Sequence, residues 1–318
     1  MILLWGLSGD NPLEGVMNSL RDEDTPFVLL DQRDILSTEV ELDFGATLDG
    51  VVRTPSAVID LGEITATYMR VYDSRNLPDV KQAGCGSASW SHALAVESAL
   101  YSWVECTETL VVNKPSAMAS NNSKPFQGAV IRQHDFALPA TLITTTPVAA
   151  EEFWQEHDAV IYKSISGVRS IVSRVSDAHR KRLADIAWCP TQFQQYIQGN
   201  DYRVHVVGER IFACEILSEA DDYRYANRQG ASVDVRAVEL PPEVCERVCA
   251  LVADLRLSIA GVDLRLTPEG VWYCFEVNPS PGFTFYESET AQPIAEAIAQ
   301  LLSRASLRDR ALMRLACV

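Results

Sequence analysis

The sequence predicts a mixed α/β (α+β) fold built from several subdomains. The chain has 318 residues, of which 47% are hydrophobic, so it can bury a substantial core. Its beginning alternates strand and helix patterns, and its later part contains a series of strand patterns with polar residues at alternate positions. We expect three units, at residues 1–111, 112–198 and 199–318.

The first unit is predicted to begin with a strand–helix–strand motif. Pro12 opens its first helix, since proline is favoured at the first helical position. The second helix has apolar residues at a spacing near 3.6. The predicted elements are strands at 2–6, 27–31 and 66–71 and helices at 12–21 and about 89–108.

The second and third units are predicted to be richer in strands. A helix opens at Thr146-Pro147, another opens at Pro241, and a last helix covers about 291–304. The predicted strands of these two units are 139–144, 159–163, 192–197, 202–207 and 210–217.

The most informative segment runs from Gly261 to Gly282 and is predicted to be a β-hairpin with its turn at Thr267–Gly270. Because strand side chains alternate, Glu276 and Asn278 share one face, and Asp263 can join them from the opposite strand. Two carboxylates and an amide oxygen are hard ligands that suit Mg²⁺ also bound by nucleotide phosphates.

The alternative for this segment is a half-buried hairpin whose polar residues face solvent. Glu276 argues against it, because it stands between Phe275 and Val277, where an unpaired carboxylate would be unfavourable. The Pro-Ser-Pro-Gly sequence that follows also ends the strand sharply, as a loop that forms a site does.

Two other segments could contact a nucleotide. Lys163 ends an apolar strand before a loop of small residues that contains Ser166, an arrangement that can hold phosphate. A lysine that only extends its head to solvent is the alternative. In the other segment, two strands flank a turn at 198–200, and Asp201 and Arg203 alternate to one face. They could reach a ribose and a phosphate, or they could belong to an ordinary hairpin.

These motifs occur in the order found in ATP-grasp enzymes, which the chain resembles over about residues 112–304. The likeness is greatest to the RimK-type branch, which includes ribosomal-protein glutamate ligases, bacterial glutathione synthetase and graspetide ligases. It implies an ATP-grasp fold with an N-terminal pre-ATP-grasp α/β domain, a small lid and a C-terminal antiparallel-sheet core. The segments that carry it are 113–115, 123–125, 139–141, 161–163, 194–203, Asp263 and 276–279.

The resemblance also implies roles for individual residues. The two lysines would hold phosphates, residues 194–197 would form the adenine hinge, and Asp201 would bind ribose. The implied nucleotide-binding residues are Lys124, Lys163, Ser166, Gln194, Gln195, Tyr196, Ile197 and Asp201. The implied metal ligands are Asp263, Glu276 and Asn278, and the implied catalytic residues are Arg203 and Arg224. Arg265 is a further candidate catalytic residue, because it stands two residues from Asp263 on the same strand face, where a basic residue suits an anionic acceptor or the acyl-phosphate.

The activity implied by the resemblance is that of an ADP-forming carboxylate–amine ligase. Such an enzyme activates a carboxylate as an acyl-phosphate with ATP and two Mg²⁺ ions, for which Mn²⁺ could substitute. Besides an ATP-dependent kinase of the same fold that stops at phosphoryl transfer, two alternatives stay open. One is a graspetide-type ligase that forms ester or amide links, although the tail at 279–286 differs from that of the peptide cyclases. The other is an ATP-binding protein without turnover.

Composition limits the partners further. The net charge of −16 argues against a nucleic-acid partner, and no apolar run is long enough to span a membrane. The N-terminus lacks a basic leader, and the eight cysteines show no metal-site spacing. We therefore expect a cytoplasmic protein whose partners are carboxylate and amine substrates, small molecules or peptides, with a homodimer left open.

Overall fold

The computed structural model describes residues 1–45, 48–164, 173–218 and 232–316. Two predicted site residues, Ser166 and Arg224, lie outside the described residues. Within the described ranges, no helix is both long enough and apolar enough to cross a membrane.

The N-terminal unit combines a parallel sheet of order β2-β1-β6-β7 with an antiparallel sheet of order β3-β4-β5. The predicted strand–helix–strand start is confirmed, because β1 and β2 pair in parallel and α1 connects them. The elements are β1 (Ile2–Gly6), α1 (Asn11–Asp22), β2 (Phe27–Asp31), β3 (Glu39–Phe44), β4 (Leu48–Arg53), β5 (Val58–Asp60), β6 (Ala66–Arg70), α2 (Pro78–Ala83), α3 (Ala88–Cys106) and β7 (Leu110–Val112).

Helix α1 begins where the sequence predicts it. Asp10 caps its N-terminus, because its carboxylate accepts a hydrogen bond from the backbone N–H of Leu13 at 3.0 Å. Pro12 occupies the first turn, where a backbone N–H would have no partner within the helix. The apolar side of the helix, with Leu13, Val16 and Leu20, is fully buried.

The second unit contains a four-stranded antiparallel sheet of order β10-β9-β11-β8. Phe193 and Val160 lie in a small core between this sheet and α6. The elements are α4 (Pro115–Met118), α5 (Lys124–Gln133), β8 (Thr141–Thr144), α6 (Pro147–Glu156), β9 (Val160–Ser164), β10 (Ser173–Arg174), α7 (Asp177–Arg180) and β11 (Thr191–Gln195).

The C-terminal unit is a five-stranded antiparallel sheet of order β14-β13-β12-β15-β16. The backbone of Ala137 pairs with the outermost strand, accepting from the N–H of Cys274 and donating to the carbonyl of Trp272. The elements are β12 (Asn200–Val207), β13 (Arg210–Ser218), β14 (Val233–Val238), α8 (Pro242–Asp254), β15 (Ile259–Leu266), β16 (Trp272–Asn278), α9 (Thr284–Thr290) and α10 (Ile294–Ala316).

Two hydrophobic cores position this sheet. One face packs on α5 and α8 through a core that contains Val204, Val262 and Val277. The end of the sheet, at Val207 and Ile259, shares a second core with the N-terminal sheet, α1 and α10. The N-terminal unit and the C-terminal sheet are therefore joined by continuous apolar packing.

The predicted fold class is confirmed, and most predicted elements are present with ends displaced by one to three residues. Several differences are larger, and helix α5 is among the elements that were not predicted. The last helix begins at Ile294 and continues to Ala316, and the strands at 39–60 and at 233–238 were not predicted. Two of these strands, Glu39–Phe44 and Val233–Val238, do alternate charged and apolar residues, which is the pattern of a half-buried strand, so the sequence carried a signal for them.

Candidate active site

The five-stranded sheet has one apolar face and one polar face. In β12, Val204 and Val206 point into the core beneath the sheet. The alternate residues Asp201, Arg203 and His205 lie on the opposite face, because strand side chains alternate. The candidate site is built on this polar face.

The hairpin of β15 and β16 brings the predicted metal ligands together. Asp263 pairs directly with Glu276, and Asn278 pairs with Gly261. The register shifts between Asp263 and Leu264, where Leu264 pairs with Cys274. This β-bulge leaves one extra residue, Phe275, in β16.

The bulge explains how an apolar strand can present a carboxylate to the polar face. Cys274 and Val277 are both fully buried in the core under the sheet. Regular alternation would place Cys274 and Glu276 on the same face, and the extra residue Phe275 reverses this. Glu276 thus reaches the site while Cys274 and Val277 stay buried.

Two ion pairs neutralise the carboxylates. Lys124, at the start of α5, forms a short ion pair with Glu276. Arg203 Nη1 donates to Asp263 Oδ1 at 2.6 Å. Both carboxylate side chains remain 28% exposed, so each keeps oxygen lone pairs that a ligand can reach.

Gly261 makes room for Arg203. A Cβ added at Gly261 would lie 2.1 Å from Arg203 Nη2 and 2.8 Å from the Cβ of Pro281. The guanidinium therefore lies directly over this glycine, and a side chain here would displace it. The sequence offered no sign of this role, because Gly261 stands within an otherwise apolar part of strand β15. Its backbone angles are not unusual either.

Two amide side chains fix the hairpin from outside the sheet. Gln127 of α5 donates to the carbonyl of Val277 at 2.8 Å and accepts from its N–H at 3.0 Å. Asn113 accepts from the N–H of Ser258 at 2.7 Å and donates to the carbonyl of Pro279 at 2.6 Å. Both amides are buried, so they hold the strand that carries Glu276 and Asn278 in place.

The N-terminal unit supports the loop that follows β16. Arg70 binds both oxygens of Asp10, at 3.0 and 3.1 Å, and donates to the carbonyl oxygens of Ser280 and Pro281, each at 3.1 Å. The backbone N–H of Ser280 donates to Asn278 Oδ1 at 2.9 Å. Arg70 thus connects the first unit to the loop that follows β16.

The four-stranded sheet β10-β9-β11-β8 presents a second polar surface. We call it the lid sheet, after the lid that the resemblance implies. Lys163 pairs across the strands with Gln192, and Ile161 pairs with Gln194. The side chain of Gln194 is buried and donates to Thr141 Oγ1 at 3.0 Å. Since Phe193 points into the lid core, Gln192 and Gln194 face the opposite side, together with Lys163.

The predicted hinge is tied to both sheets. The N–H of Gln195 donates to the carbonyl of Ala140, and that of Tyr196 donates to the carbonyl of Ala159, both at 2.9 Å. The carbonyl of Ile197 accepts from Arg265 Nη1 at 2.7 Å. The hinge residues therefore connect the lid strands to β15.

Arg265 also binds the predicted ribose ligand. Its Nε and Nη2 donate to the two oxygens of Asp201 at 2.7 and 2.9 Å. The sequence predicted Arg265 beside the metal ligands, as a contact to an anionic acceptor or the acyl-phosphate, and this role stays a prediction. In the structure its guanidinium binds Asp201 and the hinge carbonyl of Ile197.

Burial sets the protonation of groups beside Arg203. His205 is fully buried, and burial together with the charge of Arg203 holds its pKa well below the ordinary value. Its Nε2 accepts from Arg203 Nε at 3.4 Å, which requires the neutral ring. Burial also raises the pKa of the Cys214 thiol to about 11, so this cysteine is a neutral neighbour.

The donor set of the hairpin fits a divalent ion of the magnesium type. Asp263, Glu276 and Asn278 offer only hard oxygens from adjacent register positions. No group of three His, Cys, Asp or Glu residues suited to a metal occurs in the described part of the chain. A cation here would therefore complete its coordination with water and substrate oxygens, as Mg²⁺ does at phosphate sites.

Most of the site residues that the sequence predicted for the hairpin lie together, whereas the residues that hold the hairpin in place were not predicted. Gly261, Gln127, His205 and Asn113 have no chemical signature of their own. One signal was available for His205, since it continues the alternation of Asp201 and Arg203. The roles of all the site residues stay predictions.

Comparison with known proteins agrees with this geometry. A family model described as ATP-grasp domain matches residues 122–283, which is half of the chain. A probable alpha-L-glutamate ligase of Histophilus somni (strain 2336) is 28% identical over 178 residues, covering 52% of this chain and 58% of the relative. A protein of the same description from Photobacterium profundum is 32% identical over 115 residues, covering 35% and 37%. The chain thus spans little more than half the length of the first of these relatives.

Solved structures match almost the whole chain. Macrocyclase MdnC of Microcystis aeruginosa MRC, bound with precursor peptide MdnA, has a TM-score of 0.81 at 22% identity, covering 95% of this chain and 99% of that one. A RiPP-associated ATP-grasp ligase of Chryseobacterium gregarium, in complex with ADP and a leader and core peptide, has a TM-score of 0.81 at 21% identity, covering 95% and 96%. These likenesses establish the fold over both the N-terminal unit and the site.

The sequence, the fold and the comparisons therefore agree. The predicted ATP-grasp fold is confirmed, and the relatives named as glutamate ligases confirm the resemblance to the RimK-type branch. This chain belongs to the ATP-grasp family.

Proposed function

We propose that this protein is an ADP-forming ligase that activates a carboxylate with ATP and joins it to an amine. The single observation that carries the proposal is the row of alternating charges at the hairpin. Lys124, Glu276, Asp263 and Arg203 follow one another through two ion pairs and a direct strand pairing. Such a row offers cations for phosphate oxygens and hard oxygens for metal in one place.

Magnesium is part of the proposal. Asp263, Glu276 and Asn278 would hold two ions, which when bound would neutralise charge on the phosphates of ATP. Lys124 and Arg203 now neutralise the two carboxylates, so metal and nucleotide would redistribute these contacts. The cations would then be available for phosphate oxygens.

The nucleotide would lie between the lid sheet and the polar face of the C-terminal sheet. Residues 194–197 would contact adenine, Asp201 would bind ribose, and Lys163 would bind phosphate together with Ser166. The connection of the hinge to both sheets supports this placement. We propose the units 1–111, 112–198 and 199–318 as N-terminal domain, lid-bearing subdomain and catalytic core.

The reaction would proceed in two steps. A carboxylate oxygen of the first substrate attacks the γ-phosphorus, and the bond from this phosphorus to the β–γ bridging oxygen breaks to release ADP. The amine nitrogen of the second substrate then attacks the acyl carbon. The bond from that carbon to the phosphate oxygen breaks, inorganic phosphate leaves, and the amine proton passes to solvent or a base. Arg203 and Arg224 would stabilise charge on the transferring phosphoryl group and the acyl-phosphate.

An ADP-release screen tests this proposal. Purified protein with Mg²⁺ and ATP is incubated with amino acids, dipeptides and longer peptides, and release of ADP is measured. We expect ADP release that depends on one particular pair of carboxylate and amine substrates. The Lys163→Ala variant should release ADP about a hundredfold more slowly at unchanged thermal stability. Full substrate-dependent release by a folded Lys163→Ala variant would contradict the assignment of Lys163, and an absence of ADP release with every acceptor would favour the protein without turnover.

A second candidate is a ligase that modifies a peptide, forming ester or amide links within it. It is supported by fold similarity, since structures bound to precursor or core peptides match this chain with TM-scores of 0.81. Mass spectrometry of the products separates the candidates. Loss of one water per bond within a peptide indicates peptide cyclisation, and the summed mass of two substrates less one water indicates ligation.

A further inference from the structure

The guanidinium of Arg265 forms three hydrogen bonds at the junction between the hinge and the C-terminal sheet. Nε and Nη2 donate to the two oxygens of Asp201, and Nη1 donates to the carbonyl of Ile197. The side chains of Arg265 and Asp201 are only 13% and 24% exposed. Three charge-assisted bonds of 2.7 to 2.9 Å thus fix one planar group in one orientation.

Two aromatic rings hold the same guanidinium from its sides. Its central carbon lies 5.6 Å from the ring centroid of Tyr196 and 5.2 Å from that of Phe275. Phe275 is the extra residue of the β-bulge in β16, next to Glu276. The ring of Tyr196 is also covered by Arg174 of the lid at 4.0 Å. Arg265 therefore contacts both the hinge and β16, the strand that carries two of the proposed metal ligands.

The hinge backbone approaches β15 closely at the same place. A Cβ added at Gly199, whose φ is +154°, would lie 2.2 Å from the carbonyl oxygen of Leu266. The segment between Ile197 and Asp201 is thereby pressed against the end of β15. The position of Arg265 is thus determined by backbone packing as well as by its own bonds.

We propose that Arg265 is a positioning residue of the nucleotide site, which fixes the carboxylate of Asp201 and the hinge carbonyl of Ile197. The bidentate pair holds the carboxylate of Asp201 in one orientation while its side chain stays 24% exposed, so a ribose hydroxyl group can meet an oxygen that is already in place. The pairing also cancels a negative charge close to the nucleotide phosphates. This inference rests on the proposed ATP-dependent function and revises the role we expected for Arg265 from sequence.

The test compares ATP with 2′-deoxyATP in the full-length protein. Affinities are measured by calorimetry with Mg²⁺ for the wild type, Arg265→Met and Arg265→Lys. We expect each variant to lose about tenfold in affinity for ATP and most of the preference for ATP over 2′-deoxyATP, because neither residue can bind the carboxylate in the bidentate manner. Lysine also serves as the second variant if methionine prevents folding.

Asp201→Asn provides a second arm. If Arg265 acts through Asp201, the double variant Asp201→Asn with Arg265→Met should lose no more ribose preference than either single variant. Arg236→Met is the matched control, since Arg236 forms an ion pair with Asp234 on the solvent-exposed strand β14. This control should bind both nucleotides as the wild type does.

The opposite results would overturn the inference. An Arg265→Met variant with unchanged affinity and ribose preference but a lowered kcat at saturating ATP would place Arg265 at the transferring phosphoryl group instead. Additive losses in the double variant would also contradict it. Failure of the wild type itself to bind ATP would overturn the proposed function together with this inference, so the two failures can be distinguished.

Discussion

Two arginine–aspartate pairs lie near the β15–β16 hairpin and the loop that follows it, and they differ in what surrounds the aspartate. In the pair Arg70–Asp10, the carboxylate is 4% exposed and also accepts from Tyr72 and from the N-terminus of α1. In the pair Arg203–Asp263, the carboxylate is 28% exposed and lies beside Glu276. The first carboxylate has its acceptor positions filled from within the protein, whereas the second can still bind a ligand.

This difference shows how one kind of ion pair can support the fold in one place and form a site in another. The arginines themselves do not distinguish the pairs, because both are largely buried. What distinguishes them is the number of acceptor positions left on the partner. The following predictions change one pair and leave the other as its control.

The largest effect is expected from Asp263→Asn. We expect the rate of ADP release to fall about a hundredfold or more. Asp263 is both a proposed metal ligand and the partner of Arg203, and the substitution removes its charge from both interactions. The free energy of unfolding should change by only about 1 kcal/mol, because Glu276, directly across from Asp263, still supplies a negative charge near Arg203. Steady-state kinetics and urea unfolding measure the two quantities, and an unfolded variant or a fully active one would contradict the comparison.

The same substitution in the other pair, Asp10→Asn, should act mainly on stability. It leaves the guanidinium of Arg70 buried without its charged partner, which is expected to cost about 3 kcal/mol in the free energy of unfolding. ADP release by the folded variant should fall less than in Asp263→Asn, because Arg70 reaches the site only through the loop. Urea unfolding followed by circular dichroism measures the change, and equal stability of the two variants would contradict it.

A smaller loss of activity is expected from Gly261→Ala. The added Cβ would displace the guanidinium of Arg203, which lies 2.1 Å from it, so we expect about a tenfold loss in kcat with a modest stability cost. Gly282→Ala is the matched control, because a Cβ there would meet no atom within 4 Å. Equal activity of the two variants would show that the position of Arg203 is not important.

The smallest effect concerns the pH dependence of stability. Burial, then the charge of Arg203, keeps the pKa of His205 well below 6.5, so the unfolded chain binds a proton there before the folded one does. The stability that the neutral His205 allows is fully present above about pH 6.5. It is lost as pH falls from there towards the pKa that His205 has in the folded protein. Urea midpoints between about pH 5 and 7 should therefore decrease less steeply in His205→Phe. An unchanged slope would contradict the prediction.

Asp10 should respond at lower pH. Burial alone would raise its pKa, but the hydrogen bond and charge of Arg70 outweigh burial and lower the pKa below 3.8. Its stabilising contribution is therefore present above about pH 4 and disappears as pH falls further.

The sequence predicted the site hairpin well and its surroundings poorly. Asp263, Glu276 and Asn278 carry ligand atoms and stand at fixed spacing in a hairpin, so alternation alone places them together. The bulge at Phe275 was not predictable, because the apolar residues on both sides fit either register. Gly261 and Gln127 act through close approach and backbone contacts between elements distant in sequence, and these depend on tertiary packing.

The strand β16 also bears on how copies of the protein behave in solution. It is the outermost strand of its sheet, and an exposed strand of this kind can pair with strands of other molecules. Ala137 occupies its backbone near Cys274, and Gln127 occupies it at Val277. Foreign strands therefore find these hydrogen-bonding positions already taken, which protects the segment that carries Glu276 from intermolecular sheet growth.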